Sequence, residues 1–304
     1  MRYYSRILIP ALGKYLTQQG YLTAMLSPLL QLEGLLAMPT LDISQFIEGV
    51  ETFDLTFLRE VDELKIVDTS SHYRQRLGKQ AERILTESLK RSERYRIVAS
   101  GLNIYDAANR SVGEIDYILR DAVSQELVHV ELACKFYTVR QQDAASHSGW
   151  LGPNGRDALE KKIAKMQSHQ LPLLYRKETE GLLTQMDLDA REIKQAICFK
   201  VCLFYHLDTE LPGYSNAFIE DEVQVHRWLY LSEWNKAFDP QTEFYLPHKR
   251  EWITLAQHHQ DWFPAADMLR LVKELHGRGH NPMIWSRDAS GETARWFVLA
   301  DVHS

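Results

Sequence analysis

Residues 113–136, GEIDYILRDAVSQELVHVELACKF, set carboxylates and a lysine on two short apolar segments joined by a polar turn. Side chains alternate along a strand with period two. In the first segment Glu114, Asp116 and Ile118 therefore share one side, and Ile115, Tyr117 and Leu119 the other. In the second, His129, Glu131, Ala133 and Lys135 oppose Val128, Val130, Leu132, Cys134 and Phe136. The pattern predicts two strands whose acidic groups and lysine converge over one sheet face. Buried charge is costly unless it is paired or binds a metal, so this face is the place to look for chemistry.

The flanking sequence supplies the rest of a core. A helix is expected over 72–92, where Leu77, Ala81, Ile84 and Ser88 form one stripe and Gly78, Glu82, Leu85 and Leu89 its neighbour. Glu82 thus falls within the apolar stripe instead of opposite it. A strand follows over 95–105 (YRIVASGLNIY). Beyond the central pair, the glycine-rich HSGWLGPNGRD (147–157) leads into a helix near 157–171, with Leu159, Ile163, Met166 and Gln170 inward. A buried strand is expected at 196–206 (AICFKVCLFYH). Helix, strand, strand, strand, helix, strand is the order of an α/β core that carries its site on one edge of the sheet.

A chain of 304 residues makes one large or two medium domains. The reading divides it into an N-terminal helical segment and acidic connector (1–70), a core (71–206), and an aromatic-rich α+β elaboration packed on that core (207–304). Strands there are expected in RWLYL, EFYLP and ARWFVLA, with a helix around 264–276. The cysteines, Cys134, Cys198 and Cys202, sit in apolar runs without metal-ligand spacing. This argues against a disulfide framework and for a reducing, cytoplasmic setting. The opening MRYYSRILIPALGKYL is too short to cross a membrane and has no signal-cleavage pattern, so no membrane partner is expected.

The formal net charge of −6 does not advertise nucleic-acid binding, but charge is uneven. Residues 42–68 are acidic. The next stretch reverses sign with Arg74, Arg76, Lys79, Arg83, Lys90, Arg91, Arg94 and Arg96. Such a face attracts phosphates or is simply solvated. The tryptophans read as core, and His258, His259, His276 and His280 as surface. Ser146, His147 and Ser148 make no nucleophile–base arrangement by sequence alone.

RLGKQAERIL (76–85), YRIVASGLNIYDAANRSVGEIDYIL (95–119) and LVHVELACKF (127–136) together resemble the PD-(D/E)XK nuclease superfamily. The match runs over residues 74–171. The full pattern, with GPNGRD, the HQL helix end and the tryptophan-rich tail, resembles the bacterial family called domain of unknown function 1853, grouped with those nucleases by fold. The resemblance implies a restriction-endonuclease-like core, a mixed sheet flanked by helices, and a magnesium- or manganese-dependent phosphodiester hydrolase acting on DNA or RNA. It implies Glu82, Asp116 and Glu131 as metal ligands. Lys135 would position or activate the attacking water alongside Asp116 and Glu131. Glu114, Lys162 and Gln167 are implied as supporting residues.

One departure matters. The usual motif separates acid and lysine by one residue, whereas Glu131 and Lys135 lie four apart, roughly 13 Å along a regular strand. Ala133 stands at the expected lysine position. Either the acid or the lysine has migrated, a bulge shortens the gap, or catalysis has been lost. The alternative reading is therefore a non-catalytic nucleic-acid-binding or protein-interaction module on the same fold.

Overall fold

The computed structural model describes residues 28–61, 64, 77–140, 149–210 and 226–301. Several sequence features lie outside them: the helical segment before residue 28, the polar run 68–71, Arg74, Arg76, and the Ser146–His147–Ser148 triplet.

The chain builds one mixed sheet with helices on its faces. Its strands are β1 (Glu51–Thr52), β2 (Tyr95–Tyr105), β3 (Ser111–Asp121), β4 (Leu127–Val139), β5 (Trp150–Leu151), β6 (Ile193–His206), β7 (His226–Tyr230), β8 (Glu243–Tyr245), β9 (Phe263–Pro264), β10 (Met283–Arg287) and β11 (Thr293–Leu299). The main path runs β2-β3-β4-β6-β7-β11-β10-β8-β9, with β1 on β6 and β5 on β4. The β2–β3–β4 end is antiparallel, β4–β6–β7–β11 is parallel, and β11–β10–β8–β9 is antiparallel again. The strands after residue 206 therefore continue the core sheet, because β7 pairs directly with β6.

The helices are α1 (Pro28–Ala37), α2 (Leu77–Leu89), α3 (Leu159–Lys165), α4 (Lys177–Gln185), α5 (Trp234–Ala237) and α6 (Ala265–Gly277). Alternation along β4 and β6 decides which helix covers which face. Val128, Val130, Leu132, Cys134 and Phe136, with Cys198, Cys202 and Phe204, pack against Leu32 and Leu35 of α1 and Leu77, Ala81, Ile84, Leu85 and Leu89 of α2. Ala133, Tyr137, Ile197, Phe199 and Val201 pack on Leu159, Ile163 and Met166. A strand covered on both sides reads as a nearly continuous apolar run, as β6 does. The cysteines are buried free thiols, and Trp228, Trp234, Trp252 and Trp285 are core.

Some local expectations need correction. Ile115 packs with Ile118, Leu173 and Leu174, not with Tyr117 and Leu119, so the alternation of β3 breaks at Asp116. The helix expected over 157–171 is α-helical only to Lys165. A π turn (Met166–Gln170) and a 3-10 turn (Leu171–Tyr175) follow. His258 and His259 are not simply surface residues. His258 lies 3.2 Å from Glu33, and His259 stacks on Tyr245 at 4.0 Å. Helix α4 and strand β10 had no expectation attached to them.

Candidate functional site

The break in β3 coincides with a fork in the sheet. The β3–β4 ladder pairs Arg120 with Leu127 through Tyr117 with Val130, and goes no further. Both strands continue past this point, so they separate at Asp116 and Glu131. Backbone groups released at a fork still need partners, and the acids supply them. Asp116 Oδ2 accepts from the Leu132 amide at 2.9 Å, and Glu131 Oε1 lies 3.4 Å from the Asp116 amide.

Helix α2 brings its glutamate to the same place. Tyr117 Oη donates to the Glu82 carbonyl at 2.6 Å and lies 2.9 Å from Thr86 Oγ1, pinning the helix to β3. One ligand oxygen from each of Glu82, Glu114 and Asp116 lies within 4.8 Å of the others. Lys79 bridges two of them, its Nζ 2.7 Å from both Glu82 Oε2 and Glu114 Oε1. Burial pulls the Lys79 ammonium's pKa down, but these two bonds outweigh it and hold the value above its usual range. Asp116 has no such cation. Burial first, and then the charge of Glu131, push its carboxyl up to about 8. Glu82 is also raised, chiefly by burial.

Behind the fork, on the α3 side, runs a buried polar chain. Glu131 is fully buried and lies 3.0 Å from His129 Nε2. His129 Nδ1 in turn is 3.2 Å from Gln195 Nε2. The other Glu131 oxygen accepts a short hydrogen bond from Gln170 Nε2. Gln170 Oε1 accepts from Lys162 Nζ at 2.7 Å. Burial lowers the Lys162 ammonium's pKa, while the charge of Glu131 holds against it.

The sequence-derived residues thus fall into separate groups. Glu82, Glu114 and Asp116 come together, and Glu131 stands directly behind Asp116. Glu114, taken from sequence only as support, is one of the three acids that come together. Lys135 is held by Asp157 of the GPNGRD loop, with Nζ to Oδ2 at 2.5 Å. Lys162 reaches the acids through Gln170. Gln167 is exposed, and Gln170 makes the contact instead. Helical spacing already turned Gln170 inward, whereas Gln167 was implied by the resemblance alone; Gln170 sits at the end of the π turn. Sequence reasoning also missed a second cluster, His206, Asp208 and Glu233. There Lys236 neutralises Asp208 at 2.6 Å, and Glu233 accepts from the Tyr230 amide at 2.8 Å.

Hard carboxylate oxygens converging on one point, with fewer cations than anions, are the donor set that magnesium or manganese takes. Among the described residues, no helix is long and apolar enough to cross a membrane. Searches of curated proteins and of solved structures yield no match. A family model does match, over residues 23–299. The chain therefore belongs to the family described as domain of unknown function DUF1853.

Proposed function

We propose that this chain is a metal-dependent phosphodiester hydrolase acting on nucleic acid, on a restriction-endonuclease-like core. The observation that carries the reading is the strand fork. There Glu82, Glu114 and Asp116 converge, Asp116 is held near a pKa of 8, and only Lys79 bridges the cluster. Asp116 and Glu131 also serve the backbone at the fork, but that use leaves Glu82 and Glu114 with Lys79 between them.

Glu82, Glu114 and Asp116 would hold magnesium or manganese, with Glu131 fixed behind Asp116. When bound, the ion neutralises the phosphodiester and acidifies water. The chain's own residues do the rest. Glu131 is locked by His129 and Gln170, so its charge cannot swing away from Asp116. Lys162 carries an ammonium whose pKa is lowered chiefly by burial, which favours loss of its proton relative to an exposed lysine. It accepts the proton of the attacking water as the new phosphorus–oxygen bond forms. The bond to the leaving oxygen breaks, and that oxygen takes its proton from solvent. Lys162 thus fills the role that the motif normally gives to the position occupied here by Ala133.

A second reading, a non-catalytic binding or interaction module, draws on one observation: Lys135 is engaged by Asp157. The test incubates full-length protein with single-stranded, duplex and branched DNA and with RNA, with magnesium or manganese. Wild type is expected to cleave at least one of them, and Lys162→Met to lose activity by about 100-fold or more. Lys135→Ala is expected to stay within a few-fold of wild type. Cleavage undiminished in Lys162→Met removes that residue from the mechanism. No cleavage of any substrate by wild type favours the module.

A further inference from the structure

The face of the fork turned toward α2 opens into a cleft of about 250 Å³. It is lined by Lys79, Glu82, Arg83, Thr86, Ser100, Gly101, Asp116 and Tyr117. Arg83 is the anomaly in it. Its Nε is buried without a hydrogen-bond partner, and no carboxylate pairs with its guanidinium among the described residues. Neighbouring cations do not share this condition: Lys79 is taken by Glu82 and Glu114, Lys90 by Glu87, and Arg94 by Asp121. Among the described residues one other arginine has a buried Nε without a partner, but that one, Arg295, is seated by the Thr254 carbonyl and the Trp285 ring. Arg83 has nothing equivalent, although it stands beside an acidic cluster. A buried donor with no acceptor is a costly arrangement, and among the described residues no carboxylate relieves it.

The opposite wall is cut back to receive one. In the β2–β3 ladder Ser100 faces Tyr117 and Leu102 faces Ile115, which puts Gly101 across from Asp116. Gly101 has φ +61°, a conformation that favours glycine, and a Cβ there would come within 3.3 Å of Glu114 Oε1. Bare backbone therefore flanks the acids on this side.

We infer that Arg83 anchors a phosphate subsite in this cleft, which seats a phosphodiester of a nucleic-acid strand beside the carboxylate cluster. The subsite rests on the metal reading above, since an ion must screen the acids before a phosphate can approach them. The planar guanidinium fork matches two phosphate oxygens where an ammonium offers a point charge. Arg83 acts as a positioning residue.

The test is fluorescence anisotropy on the full chain, with calcium as the ion. The probes are a labelled oligothymidylate and an oligouridylate of equal length, titrated over a salt series, so the two arms separate DNA from RNA. Arg83→Ala is expected to weaken binding about tenfold and to flatten the log–log salt slope by about 0.7, one single-strand phosphate contact. Arg83→Lys should restore the slope but only part of the affinity. The melting temperature of the metal-free Arg83→Ala protein should stay within about 2 °C of wild type. If Arg83→Ala does not fold, Arg83→Gln keeps most of the stem and carries the same comparison. Unchanged affinity and slope overturn the subsite, as does wild type that binds neither strand. Arg83-dependent binding without cleavage upholds the subsite and retires the hydrolase; cleavage with Arg83-independent binding does the reverse.

Discussion

The two ends of the sheet partner their acids in different ways. In the β8–β11 region Glu251 and Glu243 have partners of their own. Glu251 accepts from Tyr245 Oη at 2.8 Å and the His248 amide at 2.6 Å, and Glu243 pairs with Arg287 at 2.6 Å. At the β3–β4 fork Glu82, Glu114 and Asp116 share Lys79, and Asp116 is left at a pKa of about 8. In the first arrangement each acid is held by its own donors, although burial raises the Glu251 carboxyl as well. The second costs stability in the absence of a ligand, which is the mark of a site built for something else.

Opposite signs of response to mutation are the largest expected consequence. Glu251→Ala strands a buried hydroxyl and a backbone amide, so it should destabilise by about 2–3 kcal/mol in urea unfolding. Asp116→Asn should stabilise the metal-free protein. The folded pKa of Asp116, about 8, lies above the ordinary 3.8, so its contribution is fully present below pH 3.8 and is lost as pH rises through 8. The gain from Asp116→Asn is therefore expected to be negligible at pH 4 and at least about 1 kcal/mol at pH 8–9. A destabilising Asp116→Asn across that whole range would make the two regions alike.

The same titration governs the ion. Metal needs the ionised carboxylate, so binding releases the Asp116 proton. Affinity for magnesium is expected to rise up to about tenfold per pH unit between pH 6 and 8, then level off. A flat profile in calorimetric titrations would separate Asp116 from the binding event.

Lys79 gives the smallest effect. It is 46% exposed, so removing it should change metal-free stability little. Yet its ammonium stands between Glu82 and Glu114, where an ion would have to go. Lys79→Ala is therefore expected to tighten magnesium binding a few-fold, and weaker binding in that variant would mean the lysine supports the ion instead.

How much of this was legible follows from the range of the forces involved. Local periodicity identified β2, β3, β4, β6 and α2, and the inward Leu159–Ile163–Met166–Gln170 stripe. It placed Glu82 in an apolar stripe, where the structure half-buries it. Three features were not legible because each departs from regular geometry or arises between distant segments. Strict alternation assumes an unbroken strand, so it missed the fork at Asp116 and put Ile115 on the wrong side. Counting at 3.6 residues per turn set Gln170 inward but carried a regular α-helix to residue 171, so it missed the π turn over Met166–Gln170. The pairing of β7 with β6, and so the continuity of the sheet, joins segments on either side of residues 211–225 and leaves no local trace. Glu114 and Lys162 were singled out by resemblance. Only the folded arrangement sets Glu114 beside Glu82 and Asp116, and leads Lys162 to Glu131 through Gln170.

The most direct measurement is a manganese titration followed by electron paramagnetic resonance at pH 8, on the full-length wild type and on Asp116→Asn with Glu131→Gln. Wild type is expected to bind manganese at a site from which magnesium displaces it, and the double variant to lose that site while remaining folded. Equal manganese binding by both proteins, or none by wild type, would contradict the assignment of the fork as a metal site.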